Sequence, residues 1–325
     1  MDSGNKLARN GGLDILKIVL AFMVVAMHAG FFTDLDERLA YLALNGLFRI
    51  AVPVFLLING YFFYQVFVSG ERGKWLVRVL ILYVVWMAFY APFWLPGSQY
   101  SLLSWVFRVG RTMFFGYYHL WYLIGMLGAG VLMIFVGNAK TKVLVIAASG
   151  AFLGGVAIQY MASYHLLATG RLADTFTFTW SHRNFLLFAF PFFCGGFLIN
   201  KHKLLEKLSV GNLRVAVCAG LALLLIESSL NFVASPSHAA LDNMLSLAIV
   251  SPALFMLIMK TVIPVRSKEI SLYSTGIYLV HILVLYALQA TGHMSPTLLT
   301  LLTAFIATGI AHCLIRLHRR FTFIL

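Results

Sequence analysis

The sequence predicts an all-α, polytopic membrane protein of about ten transmembrane helices, with both termini in the cytoplasm. Three observations carry this. The 325 residues are 61% hydrophobic and 11% charged, whereas a soluble domain carries about 25% charged residues. A chain so poor in charge cannot cover a water-facing surface. Apolar runs of spanning length recur along its whole course, and its basic residues segregate between alternate connections.

A spanning helix needs about 20 mostly apolar residues. Such runs lie at 14–33, 44–65, 75–95, 119–137, 143–160, 185–200, 213–233, 243–260, 270–290 and 296–315. The run at 185–200 is short. Of the 24 Lys and Arg residues, six (Arg38, Arg49, Arg108, Arg111, Arg171 and Arg183) fall on one side of these runs, and the rest fall on the side of the amino terminus. Cytoplasmic connections collect Lys and Arg, so an even number of crossings with both ends inside fits. This also explains the formal charge of +13 without nucleic acid as a partner. Residues 1–325 read as a single integral membrane domain, with no long stretch of soluble composition.

The first apolar run is not expected to be a cleavable signal peptide, because it lacks a small-x-small exit site and carries Lys17 and His28. Cys194, Cys218 and Cys313 lie in apolar runs without metal-ligand spacing and read as small buried residues. No metal site is expected. The connections at about 96–118 and 161–184 are longer than linkers need to be and rich in Tyr, Phe, Trp, Ser and Thr. They fit either an aromatic interface belt or a cover over an outward-facing site.

Ionisable residues inside a spanning helix cost several kcal/mol and usually face a protein interior or a water-filled path. The first helix carries Asp14, Lys17 and His28. Eleven helical residues turn about 1100° and rise about 16 Å, so Lys17 and His28 share a stripe, with the small Ala21 between them. Lys17 fits a snorkelling anchor or a cation at a cytoplasmic mouth. His28 fits an interhelical hydrogen bond or a titratable base deep in the membrane. Glu227 needs a partner at its depth, for which His28, Arg49 and Arg183 are available; a structural ion pair and a role beside the base are both open. Ser271, Ser274, Tyr278 and His281 form one polar stripe on an otherwise apolar helix, readable as a hydrogen-bond ladder or as part of a site. Arg78 satisfies the positive-inside pattern and also suits an anionic ligand entering from the cytoplasm. No phosphate-binding Gly loop, HExxH, GxSxG or CxxC is present.

Five segments, in order, resemble the acyltransferase-3 family of membrane acyltransferases. GLDILKIVLAFMVVAMH resembles the family's opening, a Leu-Asp, a basic residue, ten residues and a His, with Lys17 where Arg is usual. PVFLLINGYFF resembles its Phe-rich segment, with Asn59 in the usual Ser place. HLWYL at 119–123, RNFLLFAFPFFCGGFLI and SLYSTGIYLVH resemble its later segments. The resemblance covers nearly the whole chain, and its variant looks like the compact group that O-acetylates surface polysaccharides.

The resemblance implies an acyl-CoA-dependent transferase of a multi-pass cell inner membrane protein, with acetyl-CoA as co-substrate, no permanently bound cofactor, and a glycan or lipid-linked sugar as acceptor. Lys17 and Arg78 would hold CoA phosphates. His28 would be the general base, its ordinary titration lying near neutral pH. Glu227 would orient it as a triad carboxylate does, with His281 beside it. Arg183, Asn184, His119 and Arg49 would meet the acceptor or the thioester oxygen. The competing expectation is a transporter or flippase for a lipid-linked sugar, in which the buried His, Glu and Arg form a path. A non-catalytic scaffold leaves the ordered motifs without a purpose.

Overall fold

In the computed structural model the described residues are 10–167, 169–235, 240–261, 263–264 and 269–325. Lys6, Arg9, Arg266 and Lys268, which enter the count of basic residues, lie outside them. Every regular element described is helical, apart from one isolated bridge between Asn10 and Pro264. The order begins α1 (Gly11–Ala29), α2 (Glu37–Leu44), α3 (Ala51–Val68), α4 (Arg72–Phe89), α5 (Ala91–Trp94), α6 (Leu102–Phe115), α7 (Trp121–Val136) and α8 (Thr141–Ser163). It continues α9 (Arg171–Thr177), α10 (Thr179–His182), α11 (Phe190–Lys201), α12 (Leu204–Lys207), α13 (Val210–Ala234), α14 (Leu247–Lys260), α15 (Ile270–Ala290) and α16 (Pro296–His318).

All ten apolar runs are helical, but they are not equal. Among the described residues seven helical stretches are long and apolar enough to cross a membrane: 11–29, 37–68, 118–136, 141–163, 210–234, 270–290 and 296–318. The stretches 185–201 and 247–260 are apolar but shorter, and α4 carries three cations, Arg72, Lys74 and Arg78, within its 18 residues. The chain is a polytopic α-helical membrane protein. Its outer helices show why: α13 exposes Val215, Leu223, Ile226, Leu230 and Val233, and α16 exposes Leu301 and Phe305, an apolar surface that only lipid covers well.

Small residues set the helix contacts. A Cβ added at Gly60 of α3 would sit 1.9 Å from the Phe193 carbonyl oxygen of α11, and one at Gly196 of α11 would sit 2.0 Å from that of Leu57. The two backbones therefore touch, as small residues permit in membrane helix pairs. Gly276 of α15 meets Ala311 of α16 in the same way, at 2.7 Å.

The ends of α1 are fixed by their sequence. The Asn10 side chain accepts from the Gly12 amide at 3.0 Å and donates to the Ile258 and Met259 carbonyls at the end of α14. Gly30 closes the helix with φ 76°, its amide donating to Ala26, as a left-handed terminal residue does. Lys17 and His28 thus stand on one uninterrupted helix.

The short run at 185–200 divides into a π-helical turn, Phe185–Ala189, and α11. The long connection before His119 contains α6, which buries no residue. It leads into Gly116 and Tyr118 at φ 84° and 44°.

Candidate functional site

A cavity of about 910 Å³ runs inside the helices, within the usual size for small-molecule sites. Lys17, Arg78, Ser271 and Ser274 line it, as do Asn59, Tyr122, His28, Tyr118 and His119. Arg49, Trp121, Gln159, His182, Arg183 and Asp242 are also part of its wall. Since α1 is unbroken, Lys17 and His28 mark positions about 16 Å apart along it.

At the His28 end, backbone carbonyls decide the imidazole tautomers. The Val24 carbonyl oxygen lies 2.8 Å from His28 Nδ1. A carbonyl only accepts, so in the neutral ring Nδ1 carries the proton and Nε2 holds the basic lone pair. The Tyr278 carbonyl oxygen lies 2.7 Å from His281 Nδ1, which leaves His281 Nε2 as an acceptor. That Nε2 is 3.4 Å from His28 Nδ1. His28 therefore gives its single Nδ1–H to Val24, with His281 Nε2 as a longer, second acceptor of the same proton. His281 is fully buried and packs behind His28, with ring centroids 5.1 Å apart. Tyr118 covers His28 at the same ring separation. Lys17 and His28 line the same cavity, and His281 packs behind His28 outside its wall.

His119 stacks edge-on against Tyr90, Tyr278 and His281. It is 1% exposed, and neither ring nitrogen finds a partner among the described residues. Asn59 donates to the Phe55 carbonyl and the Tyr122 hydroxyl, both at 2.8 Å. Lys17 lies 3.8 Å from Asp14.

Two expectations need correction. Glu227 does not orient His28. Its Oε1 accepts from the Tyr160 hydroxyl at 2.7 Å and the Leu245 amide at 2.8 Å, and its Oε2 accepts from the Ser246 amide and hydroxyl at 2.8 and 2.5 Å. The carboxylate ties α8 and the start of α14 to α13, and it is not part of the cavity wall. Glu227→Gln is accordingly expected to cost about 1–3 kcal/mol of stability, read as a lower thermal midpoint in detergent, with the acyl-donor KM held. Asn184 is likewise structural. Its Oδ1 accepts from the Leu186 and Leu187 amides, and its Nδ2 donates to the Trp180 and Ser181 carbonyls. It caps the π-helical turn and thereby places Arg183.

The acid that sequence reasoning missed is Asp242. Its Oδ1 accepts from Arg49 Nη1 at 2.5 Å, and its Oδ2 from Arg183 Nη1 at 3.3 Å. Gln159 Oε1 fixes the segment by accepting from the Asp242 and Asn243 amides at 2.8 and 3.0 Å. The available signal was charge: Arg49 and Arg183 lie at one depth in apolar surroundings and require a carboxylate there. Among the described residues, no group of three or more His, Cys, Asp or Glu is placed to hold a metal ion.

The pattern of the acyltransferase-3 family, described as "Acyltransferase domain", matches residues 10–316. A protein named amino-acid racemase from Enterococcus faecalis is 26% identical over an alignment of 219 positions that covers 63% of this chain and 31% of that protein. A protein named serine/alanine racemase from Enterococcus gallinarum is 27% identical over an alignment of 304 positions that covers 84% of this chain and 40% of that protein. The chain thus spans about a third to two-fifths of the length of these curated relatives. No solved structure matches.

Proposed function

Given that this chain belongs to the acyltransferase-3 family, we propose that it moves an acetyl group from cytoplasmic acetyl-CoA to a sugar hydroxyl of a surface polysaccharide or its lipid-linked precursor. The observation that carries the reading is the oriented His28: Nδ1–H is committed to Val24 and faces His281, so the Nε2 lone pair is left for a substrate proton. In this account the chain crosses the inner membrane ten times with both ends inside, and the cavity lies between its helices.

The steps follow from the residues. Lys17 and Arg78, at the end of the cavity away from His28, hold the phosphates of CoA by charge-assisted hydrogen bonds. The acyl arm lies along α1 toward His28. The acceptor hydroxyl gives its proton to His28 Nε2 as its oxygen attacks the thioester carbonyl. The carbon–sulfur bond breaks, and the imidazolium returns the proton to the CoA thiolate. During the step the Val24 carbonyl and, at longer range, His281 Nε2 share the His28 Nδ1–H and steady the imidazolium, the place a carboxylate takes in a triad. A donor oriented at the thioester oxygen stabilises the developing oxyanion.

The test is CoA release by the purified protein with a crude lipid-linked glycan extract as acceptor. Acceptor-dependent release is expected, and none with a competent acceptor and folded protein would sink the reading. In the same assay Lys17→Ala with Arg78→Ala should raise the acetyl-CoA KM by about 10- to 100-fold, as loss of binding shared by ground and transition states does. An unchanged KM would remove both residues from the CoA site.

A further inference from the structure

The charges lining the cavity do not balance at the end that holds Arg49 and Arg183. Arg49 spends its donors on the protein: Nε on the Leu44 carbonyl at 2.9 Å, Nη2 on Asn45 Oδ1 at 2.7 Å, and Nη1 on Asp242. Arg183 is different. Its one side-chain hydrogen bond among the described residues is the 3.3 Å contact from Nη1 to Asp242, and its guanidinium lies 4.8 Å above the Trp121 ring. Its side chain is 29% exposed, and that exposure opens onto the cavity.

Asp242 is the only acidic side chain among the described residues lining the cavity, and positions 236–239 contribute none by sequence. A guanidinium keeps its charge at every working pH. Two guanidiniums against one carboxylate leave a surplus positive charge in a largely desolvated place, where an unpaired charge is costly. The planar fork of Arg183, held from below by Trp121 and from one side by Asp242, presents its remaining N–H groups in fixed directions. A planar or tetrahedral oxyanion suits such a fork.

Resting on the transfer reading above, we propose that Arg183, with Arg49 behind it and Asp242 and Trp121 as positioning residues, forms an oxyanion subsite. It takes a phosphate or carboxylate group carried by the acceptor. The acceptor is therefore an anionic glycan, either sugar linked through phosphate or an acidic sugar. The subsite anchors the acceptor at its charged group while a hydroxyl elsewhere on it reaches His28.

Binding is measured by calorimetry in detergent without acetyl-CoA, so failure here leaves the transfer reading to its own assay. A Lys17→Gln/Arg78→Gln background removes the other cationic end of the cavity. Inorganic phosphate and glucuronate are the probes, and methyl glucoside is the neutral reference. In that background the anions should bind more tightly than methyl glucoside. Adding Arg183→Gln should weaken them by about tenfold or more and leave the neutral sugar unchanged. Arg183→Lys keeps the charge without the fork and should fall between. Tighter phosphate points to a phosphate-linked sugar, and tighter glucuronate to an acidic one. Should the background variant fail to fold, the comparison is made in the wild-type chain, where Arg183→Gln should abolish one of two classes of anion site. Anions that bind no better than methyl glucoside, or an Arg183→Gln change that leaves anion affinity intact or weakens both ligands equally, would overturn the proposal.

Discussion

His28→Ala is expected to lower acetyl transfer by about 10²–10⁴-fold, the contribution of a positioned general base, while the protein stays folded and inserted. The substitution removes a side chain that lines the cavity and makes one backbone hydrogen bond, to Val24 at 2.8 Å. Its removal leaves α1 capped at both ends by Asn10 and Gly30, so the helix has no reason to unravel. The acetyl-CoA KM should change little, because the loss falls on the transition state and not on donor binding. His281→Ala should give a smaller loss of kcat, since it takes away an acceptor 3.4 Å from His28 Nδ1 and spares the basic nitrogen. A fully active, well-expressed His28→Ala protein would remove the base from the account.

Gly60→Val is expected to prevent the native packing altogether. The first carbon of any side chain at this position would lie 1.9 Å from the Phe193 carbonyl oxygen. Phe193 is fully buried, and its ring packs on Phe63 at 5.2 Å and Trp75 at 6.0 Å. The obstacle is backbone inside a filled core, so relief requires α3 and α11 to separate. Overpacking of a core costs about 1–3 kcal/mol and sometimes more, and here a whole helix pair must move. The expected outcome is loss of a monodisperse species on size exclusion in detergent. Gly150→Ala, at a position with nothing within 4 Å of the added carbon, is the matched control. A monodisperse, stable Gly60→Val protein would contradict the close approach.

The helical class and the assembly around His28 were legible because each is encoded locally. Hydropathy marks a helix within its own sequence, and the interval from Lys17 to His28 fixes a shared stripe on α1 without knowledge of any neighbour. The pairing of His281 with His28 spans 253 residues, yet the polar stripe on α15 already required an inward face. What sequence could not supply was the rotation of one helix against another. Glu227 stands at a plausible depth for an ion pair, but its face meets Tyr160 and Ser246, not His28. Asp242 meets Arg49 across 193 residues, from a segment at the very edge of an apolar run. Asn184 was the readable miss: an Asn directly before an apolar helical stretch is a capping signal, and its side chain does accept from Leu186 and Leu187.

In the proposed reaction acetyl passes from a cytoplasmic donor, through the cavity, to a glycan acceptor. The most direct measurement uses proteoliposomes with acetyl-labelled acetyl-CoA sealed inside and the lipid-linked glycan extract outside. The account predicts labelled glycan outside and free CoA retained inside, with both lost in His28→Ala. Movement of glycan across the bilayer without consumption of acetyl-CoA would contradict it and assign the cavity to transport.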